Sequence, residues 1–196
     1  MKKSTNNRAN IVAFILVVAL LVAGGFVLYY TYMHKQQTQE SVKIPTTETE
    51  KLIAKDLEVG YPETPVEVMK LWGRLNQCIY NTAMGEEQFK QMLHQLRGLY
   101  SKELLEQNPE DDHLKQLEAE VSAFQSAKRK ISSYSADTGV SVSYKTIQER
   151  ESAKVRISYL VNLNPGKGHT KLYQLFILVK EEGKWKILGF KEENEE

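Results

Sequence analysis

Leu172–Phe190 reads LYQLFILVKEEGKWKILGF. Leu172 to Val179 carries apolar residues on both faces, as in a strand at the centre of a sheet. Glu182-Gly183 then turns the chain into a second strand, Trp185 to Phe190. Working outward, Val155, Ile157, Tyr159, Val161 and Leu163 alternate with Arg156, Ser158, Leu160 and Asn162, the period of a half-buried strand. Asn164-Pro165-Gly166-Lys167-Gly168 is the turn between these strands. Ile131–Ala136 and Val140–Ile147 read as two more strands around Asp137-Thr138-Gly139.

Before Ile131 the period is helical. Pro65 opens a helix whose apolar positions Val68, Leu71, Trp72, Leu75, Cys78 and Ile79 share one face. Glu86 and Glu87 begin a second, with Phe89, Met92, Leu93, Leu96, Leu99 and Tyr100 along it. Asn108-Pro109 supplies a cap and a first-turn proline for a third, lined by Leu114, Leu117, Val121 and Phe124. Helices followed by antiparallel strands predict an α+β fold with the helices packed on one sheet face.

Ile11–Tyr30, IVAFILVVALLVAGGFVLYY, carries no charge. Its length matches the hydrocarbon thickness of a bilayer, about 30 Å. Thirteen of its twenty residues are Ile, Val, Leu or Phe, which together favour insertion by about 6 kcal/mol. Apolar sequence continues through Phe26, Val27 and Leu28, which favours an uncleaved anchor over a signal peptide cut near Val22-Ala23-Gly24. Lys2, Lys3 and Arg8 precede the run with no acid among them, so the expected topology puts the N-terminus in the cytoplasm and the rest outside the cell. The expected organisation is a basic cytoplasmic tail over 1–10, a transmembrane helix over 11–30, a flexible stalk over 31–60 with a short helix within Glu48–Glu58, and an extracytoplasmic α+β domain over 61–196. Membrane lipid is thus an expected partner of 11–30, and other envelope proteins are expected partners of the domain.

The net charge of +1 divides into +3 on the first ten residues and −2 on the remainder. A faintly acidic domain lacks the clustered Lys and Arg that hold phosphate backbones, so nucleic acid is excluded as a partner. Cys78 is the lone cysteine. No intrachain disulfide can form, and its apolar neighbours Leu75 and Ile79 predict a small buried side chain.

The segment Leu172–Phe190 resembles the closing hairpin of the NTF2-like (cystatin-like α+β) superfamily, with its long apolar strand, charged turn and Gly-Lys-Trp-Lys-Ile. That resemblance implies a curved antiparallel sheet wrapped around helices to form a cone. Here three helices precede the sheet, whereas the commoner NTF2-like order interleaves them. From Glu50 to Phe190 the chain is also similar to a family of single-span membrane-anchored proteins from Gram-positive bacteria, a family without an assigned activity. NTF2-like enzymes use Asp, His or Tyr inside the cone, so the resemblance makes Tyr80, Tyr100, Tyr134, Tyr144, Tyr159 and Asp137 the residues to weigh. A general base needs a shifted pKa and a positioned substrate, and an isolated tyrosine signals neither. Asp137 suits a local turn bond.

His34, His94, His113 and His169 have no metal-ligand spacing, and Asp111-Asp112-His113 reads as an acidic first helical turn. Gly166-Lys167-Gly168 lacks the spacing of a phosphate-binding loop. No residue is therefore assigned to catalysis, cofactor or metal. The reading that follows is a membrane-anchored extracytoplasmic binding or assembly module. A subunit of a conjugation- or secretion-type envelope complex and a pocket enzyme of the isomerase or dehydratase kind are the alternatives.

Overall fold

The computed structural model describes residues 45–147, 149–164 and 166–193. Its helices are α1 (Glu48–Ile53), α2 (Pro65–Asn81), α3 (Glu86–Arg97), α4 (Lys102–Gln107) and α5 (Glu110–Ser126), followed by strands β1 (Lys130–Ala136), β2 (Ser143–Ile147), β3 (Arg150–Asn162), β4 (His169–Glu181) and β5 (Lys184–Glu193). All strand pairs are antiparallel, in the order β1-β3-β4-β5, with β2 also on β3. The α+β class with helices preceding an antiparallel sheet is thus observed. Among the described residues no helix is long and apolar enough to cross a membrane; the expected span 11–30 lies outside them.

The long helix α2 begins where its sequence says it should. Pro65 is the first helical residue; the Thr64 hydroxyl accepts from the Glu67 amide (3.2 Å), and the Glu67 carboxylate accepts from the Thr64 amide (3.1 Å). All six apolar positions expected on one face are buried. Phe89, Met92, Leu93 and Leu96 of α3 and Leu117 and Val121 of α5 are buried as well. Cys78 is buried and free, its Sγ 3.3 Å from the Thr49 hydroxyl.

Four boundaries differ from the expectation. The compact unit starts at Pro45, not at 61. Thr47 and Glu50 form a capping box for α1, whose Leu52 enters the common core, and Gln95 donates to the carbonyls of Ile53 and Lys55 at its end. Leu52, with Ile53 and Leu57 packed against the same core, seats a segment expected within the stalk. Second, α3 ends at Arg97, and the following Ser101 caps a short helix, α4, that the expected pattern lacks. Third, Asn108 does not cap α5: its side-chain Nδ2 donates to the Leu104 carbonyl (2.8 Å) and closes α4, leaving Pro109 at the cap position. Fourth, the second of the two strands around Asp137-Thr138-Gly139 begins at Ser143, not at Val140. Both pair with β3, at 157–162 and 150–154 respectively, so they are two halves of one edge strand interrupted at 137–142.

The β4–β5 connection is the expected Glu182-Gly183 turn, with φ of 50° and 80°, the left-handed pair that matches strand twist in a two-residue hairpin. β4 lies between β3 and β5, yet only one side of it is fully covered: Phe176 and Leu178 are buried, whereas Leu175 and Ile177 on the opposite side are half-buried.

α2 is joined to β1 by two devices. The Asn81 side chain donates to the Ile131 carbonyl (2.8 Å) and accepts from its amide (2.9 Å), while Gln77 donates to the carbonyls of Ile131 and Ser132 at a bulge in the strand. Gly73 then allows the Tyr134 ring to lie against the helix: a Cβ there would sit 2.4 Å from Tyr134 Cδ2. Gly73→Ala gains about 1 kcal/mol of helix propensity but overpacks this contact, at a cost of about 1–3 kcal/mol. The expected net result in urea denaturation is lower stability, with a non-additive, smaller loss when Gly73→Ala is combined with Tyr134→Ala.

Candidate functional site

Residues 153, 155, 157, 159 and 161 of β3 are buried, and the register places Thr170, Leu172, Gln174 and Phe176 of β4 on the same side. Trp72 of α2 packs edge-on against Phe176 (5.2 Å), and Phe89 and Leu96 of α3 belong to the same core. Towards the β3–β4 loop, however, the sheet face is not filled. A groove of about 490 Å³ lies there between α2, α5 and the sheet, within the range of small-molecule sites. Phe124, Ile131, Val161, Leu163 and Leu172 give it apolar walls, and Arg129, Gln174 and Glu192 stand among the lining residues. Leu172 is 50% exposed, so the groove opens to solvent.

Two of the six weighed residues meet in it. Tyr80, from α2, donates its hydroxyl to Glu120 of α5 at 2.6 Å and sets its ring edge-on to Phe124 at 5.1 Å. Tyr159, from β3, lines the groove and is 6% exposed. The Trp72 indole is close enough to favour the Tyr159 phenolate slightly. Even so, neither the Trp72 Nε1 nor the Tyr159 hydroxyl has a hydrogen-bond partner of acceptable geometry. Such buried, unpaired groups are rare in native proteins.

The other four lie elsewhere. Tyr100 is buried, 5.8 Å from Trp72 and stacked on His113 at 5.7 Å. Tyr134 covers Gly73, Tyr144 is exposed near Trp185, and Asp137 follows β1, its amide donating to Arg156. Glu110, Asp111 and Asp112 do form the acidic first turn of α5. His113 beside them is pushed towards the neutral form, first by burial and then by Arg97, whose Nη1 lies 3.4 Å from its Nδ1.

Electrostatics define what the groove can do. Burial raises the Tyr159 phenol well above its ordinary value. Burial, then the bond to Glu120 and that residue's charge, do the same to Tyr80. Both phenols are therefore neutral hydrogen-bonding groups at physiological pH, unsuited to proton abstraction. Sequence reasoning singled out these tyrosines only as members of a longer set. Phe124, Leu163 and Leu172 carried no signal of a shared groove, because they come from three elements far apart in the chain.

Tyr61 and Tyr100 are also raised, chiefly by burial. A group whose folded pKa lies above its unfolded value contributes stability that is complete below the unfolded pKa, about 10, and is lost as pH rises through the folded one. Ultraviolet titration at 295 nm is thus expected to show Tyr61, Tyr80, Tyr100 and Tyr159 ionising only together with alkaline unfolding. Free titration of these four near pH 10, with native circular dichroism retained, contradicts the assignment.

Among solved structures, the intermembrane space region of the chloroplast protein ARC6 is similar at 12% identity and a TM-score of 0.30, over 67% of this chain and 98% of that one. Comparison with curated proteins finds no match. The family model described as Domain of unknown function (DUF6715) matches residues 1–190, and the chain belongs to that family.

Proposed function

We propose that this protein is a single-span membrane-anchored binding module of the cell envelope. In this reading 11–30 spans the cytoplasmic membrane with 1–10 inside, and the α+β unit, an NTF2-like cone, holds a small and mostly apolar ligand outside. The observation that carries the binding reading is the open groove of about 490 Å³, with apolar walls and the unpaired Tyr159 phenol among its lining residues. Apolar area removed from water supplies affinity, and a few fixed polar groups orient the ligand. The uncharged run Ile11–Tyr30 behind a basic tail supports the anchor. The enzyme reading draws no support from the groove, since its two tyrosines stay protonated and one is already bonded to Glu120.

Two measurements test this. Protease added to intact cells is expected to digest the protein beyond Tyr32; full protection refutes the topology. In a fragment of residues 45–196, which carries the whole described core, N-phenyl-1-naphthylamine is expected to bind with micromolar affinity. Ala123 is exposed and lines the groove, so Ala123→Trp fills the space while leaving the fold intact. It is expected to weaken the probe at least about tenfold, roughly 1.4 kcal/mol. Absence of binding, or binding indifferent to this substitution, refutes the groove as the site.

A further inference from the structure

We propose that the sheet face opposite the helices docks the unit onto an anionic phospholipid surface. This inference stands apart from the groove and takes from the reading above only the membrane anchor.

The register decides which residues share that face. The odd-numbered β3 residues from Ala153 to Val161 are buried against the helices, so Lys154 and Arg156 project to the other side. Lys145 of β2 is paired to Ser152, Lys171 of β4 to Leu160, and Lys191 of β5 to Leu175, the partner of Arg156, which puts all three on that same side. The half-buried Leu175 and Ile177 run between them as an apolar strip. Two acids share this side and each is paired: Glu193 lies 3.2 Å from Arg156 and 3.6 Å from Lys191, and Glu181, at the far end of β4, lies 3.3 Å from Arg150. Lys145, Lys154 and Lys171 are exposed, and among the described residues none of the three makes an ion pair. A concavity of about 340 Å³ opens between Lys145 and Lys154 over Ser152 and Ile177, with room for a phosphate headgroup.

Charge complementarity chooses the occupant. Past the apolar run the protein is net acidic, yet this face carries Lys145, Lys154, Arg156, Lys171 and Lys191, while α5 opens on Glu110, Asp111 and Asp112 and α3 on Glu86 and Glu87. A broad cationic face with an apolar strip matches a surface that is anionic above and apolar beneath. Juxtamembrane lysines gain from such a surface only within about a Debye length. The segment between Tyr30 and Pro45 spans at most roughly 50 Å when extended, so an anchored unit meets that surface at high effective concentration.

The full-length protein is reconstituted in vesicles of phosphatidylcholine, with or without about 30% phosphatidylglycerol, containing a headgroup-labelled acceptor lipid. A donor fluorophore is placed at Ser158→Cys on the proposed face or, in a separate sample, at Glu118→Cys on α5. Energy transfer from the Ser158 position is expected to rise about threefold or more with phosphatidylglycerol, to fall back in 1 M NaCl, and to be lost in Lys145→Glu/Lys154→Glu/Lys171→Glu. The Glu118 position is expected to show no such rise. Should that triple variant fail to fold, the corresponding Gln triple is expected to lose most of the rise with native circular dichroism. Equal transfer in neutral and anionic vesicles overturns the proposal. So does a density-dependent signal blind to lipid charge, which assigns the face to a second copy, or binding of soluble heparin without any response to phosphatidylglycerol. Loss of the naphthylamine site leaves this result unchanged, and failure to incorporate into vesicles identifies the anchor itself as wrong.

Discussion

The close seating of α2 on the edge strand β1 is the constraint from which the rest of the unit follows. An exposed sheet edge leaves unpaired amides and carbonyls that invite another strand. Here Asn81 gives Ile131 the donor and acceptor a further strand would supply, and Gln77 takes up the carbonyls left at the Ser132 bulge. Both side chains project from the last turns of α2, so satisfying the edge also fixes the height and rotation of the helix. Gly73 permits the approach. The other edge is closed by backbone: Ser101 donates to the Ile187 carbonyl and Ile187 donates to Leu99, a single parallel bridge that places the α3–α4 connection against β5.

With α2 fixed, the groove is a consequence of geometry. The Trp72 end of the helix lies over Phe176 and Tyr100 and fills the space between helix and sheet. Near Asn76 and Tyr80 the gap is bridged by α5, which is connected to α2 through Tyr80–Glu120 and through Gln125 to the Tyr80 carbonyl. The two Tyr80 contacts hold the helices together by polar groups at the rim, and the apolar walls beneath remain open. Packing thus leaves an open, mostly apolar cavity. A phenol already donating to a carboxylate, and another raised by burial, contribute shape and hydrogen bonds without titrating at neutral pH.

How much of this was legible in the sequence depended on how far each signal reaches. Period alone located α2, α3 and α5 and the strands β3 to β5, because each has an apolar face long enough to repeat. The short α4 has Leu104 as its buried anchor and too few turns to show a period. Asn108-Pro109 carries the same local signal whether Asn closes one helix or opens the next, and the choice is made by the Leu104 carbonyl. The short helix expected within Glu48–Glu58 is α1, capped by Thr47 and Glu50; what its polar surroundings conceal is that Leu52 has a common core to enter. That β1 and β2 share one partner is invisible locally, since pairing is a property of β3. The groove and the cationic face are assembled from residues up to about a hundred positions apart, and no window of sequence contains either.

β3 carries both faces at once. Its odd residues, Val155 to Val161, build the core and line the groove, while Lys154 and Arg156 belong to the opposite side. A strand has a strict period of two, so a slip of one residue would bury the cations and expose Tyr159. That exchange is forbidden by desolvation, because a buried unpaired Lys is far more costly than an exposed aromatic ring. Register is further specified by neighbours that cannot slip together. β1 holds a bulge at Ser132 engaged by Gln77, and β5 holds another opposite Ile177–Leu178, so each flanking strand is matched to its partner at one irregular point. The same alternation that folds the sheet therefore keeps its apolar and cationic surfaces on separate sides, without either surface having to be specified independently.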